Sequence, residues 1–284
     1  KNIQSLEKLT FEKNHNISDN IDKKILDKAY LDLFNSGGCV IDGYFNSNTI
    51  EFFKKNNEVL IDDFKKIDSN EILYRAELLK LNSSVCDLWL DQNLMNLIKL
   101  FFQKDFYARN YPYMVYTHVP NNGKKEEKSK VADSWHLDHS TLFNLHILLE
   151  DVSENDTCME ILPGSHKFLN ISSLYSDKVA KEFSQKTIKC FGKKGTIYMH
   201  TGNAVHRLNP IKGSNRLNLH FEFSAGSNIF LDADNIKNSL DSNFDLYSLD
   251  ENRKNILKVI YPQKERKGYD FKNGKIYPTN FKGI

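Results

Sequence analysis

Apolar residues recur at helical spacing over residues 21–34, and Gly37-Gly38 then supply the left-handed stop that ends helices. A short extended piece is expected over 39–45. Asn48 next reads as the cap of a second helix, with Glu51 three residues on and Ile50, Phe53, Val59, Leu60, Ile61 and Phe64 making a broad apolar face. Helical patterns continue over 71–81 and 87–102, so the first 104 residues read as mainly helical.

The texture changes near Asp105. Residues 106–119 are aromatic and β-branched, and a charged loop follows over 120–130. Further strand-like runs cover 142–149, 158–162, 187–191, 196–200 and 216–223, separated by Gly, Pro, Asn and Asp turns. Many short strands after a helical preface predict an α+β chain, a β-sandwich or barrel with helices packed outside. The expected organisation is one domain: a preface over 1–104, a β core over 105–224 and an extension over 225–284 that turns basic after Asn252.

Composition narrows the function. With 284 residues and 40% hydrophobic content the chain can bury a sizeable core. Its 39 basic and 37 acidic residues nearly cancel, which speaks against a polyanionic partner such as nucleic acid. Only six of the bases are Arg, so each Arg asks for an explanation. Cys39, Cys86, Cys158 and Cys190 form no Cys-x-x-Cys pair, which suggests neither a zinc knuckle nor a disulfide framework and points to a reducing cytoplasm. No apolar run approaches the roughly 20 residues that cross a bilayer, and residues 1–20 lack a signal-peptide core.

The candidate chemistry begins at Trp135-His136-Leu137-Asp138-His139. His136 and Asp138, two apart on an extended segment, project to one side and bring an imidazole and a carboxylate within reach of one metal ion. Alone the triplet is weak, since His-x-Asp is common. His206, in Gly202-Asn203-Ala204-Val205-His206-Arg207, supplies a third ligand. Two neutral imidazoles and a carboxylate form the facial triad that leaves open positions on non-haem Fe(II). Arg216 opens the strand-like Arg216-Leu217-Asn218-Leu219-His220-Phe221, where a guanidinium pointing inward can clamp the distal carboxylate of a chelating keto-diacid.

These residues resemble the phytanoyl-CoA dioxygenase-like Fe(II)/2-oxoglutarate oxygenases. The likeness rests on His136-x-Asp138, Ile161-Leu162-Pro163-Gly164-Ser165-His166-Lys167, Gly195-Thr196-Ile197-Tyr198-Met199-His200, and His206 followed by Arg216. It implies a double-stranded β-helix (jelly-roll, cupin-like) core, Fe(II) held by His136, Asp138 and His206, 2-oxoglutarate bound through Arg216, and O2 as oxidant. The implied reaction is oxidative decarboxylation of 2-oxoglutarate to succinate and CO2, coupled to hydroxylation of an aliphatic C–H of a small molecule. Asp138 favours hydroxylation over chlorination, since halogenating relatives have a small residue there. Where the family usually has Asn-Gly, this chain has Asn155-Asp156-Thr157.

Other candidates are weighed against plainer roles. Asn218 and His220 share the face of Arg216 by alternation and should line a pocket with it. Arg75 could grip an anionic substrate group, with a surface ion pair as the equal alternative. Tyr116, with Tyr113 and His118, lies on a strand suited to substrate contact, although single aromatics are more often core. His139 and His146 more often serve as second-layer or satisfied core residues than as substrate contacts, and His166 as the lock of a turn. The loop containing Lys124–Lys130 suits a lid by its place before His136; Lys264, Arg266 and Lys267 read as surface. Two competing readings are a zinc hydrolase using His-x-Asp-His and a non-catalytic metal-binding β-barrel. The first expects a His where Ser134 stands, and neither gives Arg216 a task. Substrate identity and oligomeric state are not legible.

Overall fold

Two antiparallel sheets face each other, and helices cover the outside of the larger one. The computed structural model describes residues 23–65, 73–77, 83–109, 112–119, 134–138, 141–168, 174–183, 186–225, 256, 265–272 and 275–282. In chain order the elements are α1 (Lys23–Ser36), β1 (Gly38–Ile41), α2 (Ser47–Asn56), α3 (Glu58–Lys65), β2 (Leu73–Glu77), α4 (Ser83–Trp89), α5 (Gln92–Phe102), β3 (Tyr107–Ala108), β4 (Tyr113–His118), β5 (Trp135–His136), β6 (Leu142–Leu148), β7 (Cys158–Ile161), β8 (Leu174–Tyr175), α6 (Asp177–Phe183), β9 (Ile188–Cys190), β10 (Ile197–Thr201), β11 (His206–Asn209), β12 (Asn215–Ser224), β13 (Glu265–Lys272) and β14 (Lys275–Lys282). The major sheet runs β1-β10-β6-β12-β4-β2, with β3 beside β12; the minor sheet runs β8-β5-β11-β7-β9. β13 and β14 pair only with each other among the described strands.

Alternation on the central strands explains the layers. On β12, Leu217, Leu219, Phe221 and Phe223 face the helices and join Phe143, Leu145, Ile147, Ile197 and Met199 in the main core, together with Leu33 of α1 and Trp89 and Ile98 of the later helices. Trp89 stacks on Phe221 with centroids 6.3 Å apart. Each such side chain taken fully from water contributes about 1.5–3 kcal/mol. The intervening residues of β12, Arg216, Asn218 and His220, are also buried, but they face the minor sheet. A strand buried on both sides, apolar on one and polar on the other, is what a sandwich with a site inside requires.

The helical preface differs from its predicted outline. α1 ends where expected: Gly37 has φ +78° and its N–H returns to Leu33 O. The cap of the next helix is Asn46, not Asn48, because its side chain accepts from the Thr49 N–H. That helix then breaks at Asn57 into α2 and α3, and Val59, expected on the apolar face, is 78% exposed. Within the stretch 71–81 expected to be helical, the described residues 73–77 are a strand, β2, since an edge of β4 is available and pairing there overrides a weak helical pattern. The helix over 87–102 is interrupted at Asp91, whose carboxylate caps α5 at Leu94 N and also accepts the Tyr44 hydroxyl at 2.6 Å. β1 forms at the start of the short extended piece expected over 39–45, and β2 joins it in the major sheet from a stretch expected to be helical.

Candidate metal centre

β5 and β11 are adjacent antiparallel strands, and His136 lies directly opposite His206. Their ring centroids are 4.3 Å apart. The two imidazoles are oriented alike: Nδ1 of His136 lies 2.7 Å from Ser134 O, and Nδ1 of His206 lies 2.9 Å from Ala204 O. A carbonyl only accepts, so each Nδ1 carries the proton and each Nε2 presents a lone pair. Asp138 follows the end of β5. Its N–H bonds Gly202 O, and Gly202 N–H bonds Leu142 O at the start of β6, so the carboxylate sits at the seam between the sheets.

One ligand atom from each of His136, Asp138 and His206 falls within 4.8 Å of the others. His206 Nε2 is 3.7 Å from Asp138 Oδ2. Burial by itself would raise the Asp138 carboxyl, but His206, His200, His136 and His220 outweigh it and bring the pKa down to about 2. The carboxylate is thus ionised at neutral pH. Two imidazole lone pairs and one carboxylate, closely grouped and held by their outer hydrogen bonds, are a donor set that fits a borderline divalent cation such as Fe(II).

The Pro-Gly-Ser-His turn positions His206. Gly164 takes φ +81° and Ser165 is fully buried; its hydroxyl donates to Leu162 O and accepts the Val205 N–H, both at 2.8 Å. Leu162 N–H donates to Val205 O, so the residue preceding His206 is gripped from both sides. His166 pairs through Nε2 with Phe34 O at 3.1 Å and accepts Asn203 Nδ2 at its own carbonyl, which is the turn-locking role expected of it.

Opposite this group, the inner face of the major sheet carries polar side chains at two-residue intervals. Arg216, Asn218 and His220 lie there, and the register places Thr117 beside Arg216, Val115 beside Asn218 and Tyr113 beside His220. Tyr116 is corrected: it pairs with Leu217, on the opposite face, and is part of the main core. Alternation on β4 decides this, since one residue's shift reverses the face. Arg75 pairs with Val115 on β2, and its side chain lies outside the description, as do His139 and the 120–130 loop.

Of the further polar residues here, Asn144 belongs to no motif, His146 reads from sequence as a second-layer or core histidine, and Tyr198 and His200 stand in the 195–200 motif with no role assigned. Asn144 is fully buried and donates through Nδ2 to Asp138 Oδ2 at 2.9 Å. His200 sits 4.2 Å from His206 by ring centroid, and His146 lies between Tyr198 at 4.4 Å and His220 at 4.0 Å, its plane within 17° of each. The Tyr198 hydroxyl accepts from Arg216 at 3.3 Å. Burial pushes the Tyr198 phenol well above its ordinary range and drives His146 and His200 below theirs, the latter against the pull of Asp138. A signal existed: Asn144 and His146 are the two polar residues of Leu142-Phe143-Asn144-Leu145-His146-Ile147-Leu148, spaced to share one face.

The sequence profile of the phytanoyl-CoA dioxygenase (PhyH) family matches residues 35–215. No curated protein is similar in sequence. Among solved structures, AviO1 from Streptomyces viridochromogenes Tue57 aligns with TM-score 0.53 and 20% identity over 71% of this chain and 95% of its own. EctD from S. alaskensis, solved with 2-oxoglutarate and 5-hydroxyectoine, gives TM-score 0.52 and 16% identity over 71% of this chain and 76% of its own. The epimerase SnoN, in complex with Fe3+, alpha ketoglutarate and nogalamycin RO, gives TM-score 0.56 and 13% identity over 72% of this chain and 86% of its own. At these identities the structural likeness is one of fold, a jelly roll.

Proposed function

The chain belongs to the phytanoyl-CoA dioxygenase family of Fe(II)/2-oxoglutarate-dependent oxygenases, and on that basis we propose that it hydroxylates an aliphatic C–H bond of a small-molecule metabolite. The observation that carries the reading is the facing of two sets of groups across one interior: the His136, Asp138 and His206 cluster, and the buried Arg216. Bound iron supplies the redox chemistry by which O2 and 2-oxoglutarate become succinate and CO2 while one oxygen atom enters the substrate.

The chain's own residues bind, orient and exclude water. His136 and His206 give neutral nitrogen ligands whose tautomers are set by Ser134 O and Ala204 O, and Asp138 gives the charged one. Arg216 takes the distal carboxylate of 2-oxoglutarate; its Nε is buried with no partner among the described residues, and Tyr198 steadies NH1. Thr117, opposite Arg216, has a buried hydroxyl without a partner among the described residues, a further donor for that carboxylate. Such orphaned polar groups are costly unless a ligand or water completes them. Asp138 fills the place that a halide would need, which favours oxygen transfer over halogenation.

The test has two arms. Anaerobic addition of Fe(II) and 2-oxoglutarate should produce a weak visible charge-transfer band, absent in His206→Ala. In Arg216→Ala the band should need at least about 30-fold more 2-oxoglutarate, since removing one partner of a buried charge pair costs roughly 2 kcal/mol or more. An unchanged requirement would refute the role given to Arg216. Metabolite extracts incubated with enzyme should then show a product heavier by one oxygen atom, with succinate formed in step. A product of unchanged mass, or one lacking two hydrogens, would sink hydroxylation.

A further inference from the structure

We propose that Asn144 and His220 form a positioning relay that aims the Asp138 carboxylate at the metal site beside His206. The inference rests on the metal site assigned above. Asp138 lies beyond the end of β5, where its backbone is held by the N–H bond to Gly202 O, and that bond alone does not set the direction of its side chain. The aim comes from across the sandwich. Asn144 Nδ2 lies 2.9 Å from Asp138 Oδ2, and Asn144 Oδ1 lies 3.0 Å from His220 Nε2.

The hydrogen positions follow without ambiguity. An ionised carboxylate only accepts, so the amide nitrogen of Asn144 faces it; the amide oxygen then faces His220, which must donate from Nε2. Asn144 and His220 are diagonal neighbours on β6 and β12, because Asn144 is opposite Glu222 and His220 is opposite His146. The His220 ring is fixed by stacking on His146 at 4.0 Å. Strand register, not a loop, therefore sets the direction from which the carboxylate is held.

The consequence concerns coordination. Oδ2 is also the oxygen that lies 3.7 Å from His206 Nε2, so the amide of Asn144 fixes the very oxygen that faces the histidine. Outer hydrogen bonds of this kind change metal affinity by about 10–100-fold.

Cobalt(II) titration of the full-length protein, read by its visible d–d absorption, tests this. Wild type should bind with a tight stoichiometric spectrum that His206→Ala abolishes. Asn144→Leu, similar in volume, should lower cobalt affinity about 10–100-fold and alter the band shape. His220→Phe keeps the stacked ring but not the donor and should move in the same direction; His220→Gln should restore much of the loss. If Asn144→Leu lowers only the melting temperature of the metal-free protein and binds cobalt as wild type does, the relay is wrong. Should Asn144→Leu fail to fold, equal affinities in the two His220 variants would overturn it instead. A wild-type protein whose cobalt spectrum survives His206→Ala would overturn the metal site itself, and the relay with it.

Discussion

His146 shows how much a single buried side chain constrains this protein. Its Nδ1 lies 3.3 Å from Asn218 Nδ2, which also donates to Leu219 O, so the histidine nitrogen accepts and the ring is neutral with its proton on Nε2. Burial and the neighbouring His220, His200 and Arg216 hold its pKa well below the ordinary value of 6.5. Unfolded, the same ring takes up a proton as pH falls through 6.5; folded, it does so only at a much lower pH, and burial lowers His200 in the same direction. The unfolded state then binds more protons, so stability is full above that value and is lost as pH falls from about 6.5 toward 5, by up to about 1.4 kcal/mol per pH unit for each refused proton. Urea midpoints of metal-free protein at pH 7, 6 and 5 should show that decline, less steep in His146→Phe; parallel slopes in the two proteins would contradict it. Asp138 acts in a separate window, because its lowered pKa places its effect below about pH 4. The grouping of His136, Asp138 and His206, and the buried place of Arg216, are legible in the sequence because each combines a reactive residue type with a fixed order along the chain. Asn144 and Tyr198 are harder to see, since their roles depend on which strands become neighbours.

Among the elements, strands were easier to read than helix boundaries. β6, β7, β9, β10 and β12 fall within a residue or two of the predicted runs, because alternating or wholly buried strands are bounded by glycines and turns. β2 reads as helix in isolation and is a strand because β4 offers it an edge, a tertiary fact that no local window contains. The division of residues 83–102 into α4 and α5 has a local cause that composition hides. Asp91 is 2% exposed and takes hydrogen bonds from Leu94 N and the Tyr44 hydroxyl, joining the start of α5 to the segment after β1. Asp91→Ala removes a cap worth about 1 kcal/mol and strands a buried hydroxyl at about 1–3 kcal/mol. It should therefore destabilise the protein by about 2–4 kcal/mol in equilibrium unfolding, with Tyr44→Phe recovering part of the loss when added. Strict additivity of the two substitutions would argue that they do not share this bond.

At the scale of the molecule, the fold is a scaffold that many chemistries share, and the named structural neighbours include an epimerase as well as a protein solved with a hydroxylated compound. Arg216, Asn218 and His220 place polar groups inside the sandwich. One feature of that interior carries a mechanical meaning. His136 and His206 belong to the minor sheet, while Asp138 is tied through Gly202 to Leu142 and through its carboxylate to Asn144, both of the major sheet. A cation held by all three is a clasp between the two layers. Without it, the five short strands of the minor sheet, none longer than four residues, should part from the major sheet more cheaply than β6 and β12 part from each other. Hydrogen exchange should accordingly be fast at β5 and β11 in metal-free protein and slow down with each increment of Mn(II), while amides of β6 and β12 keep one rate throughout. The ion that serves the reaction would then also be the fastener that decides how often the protein breathes.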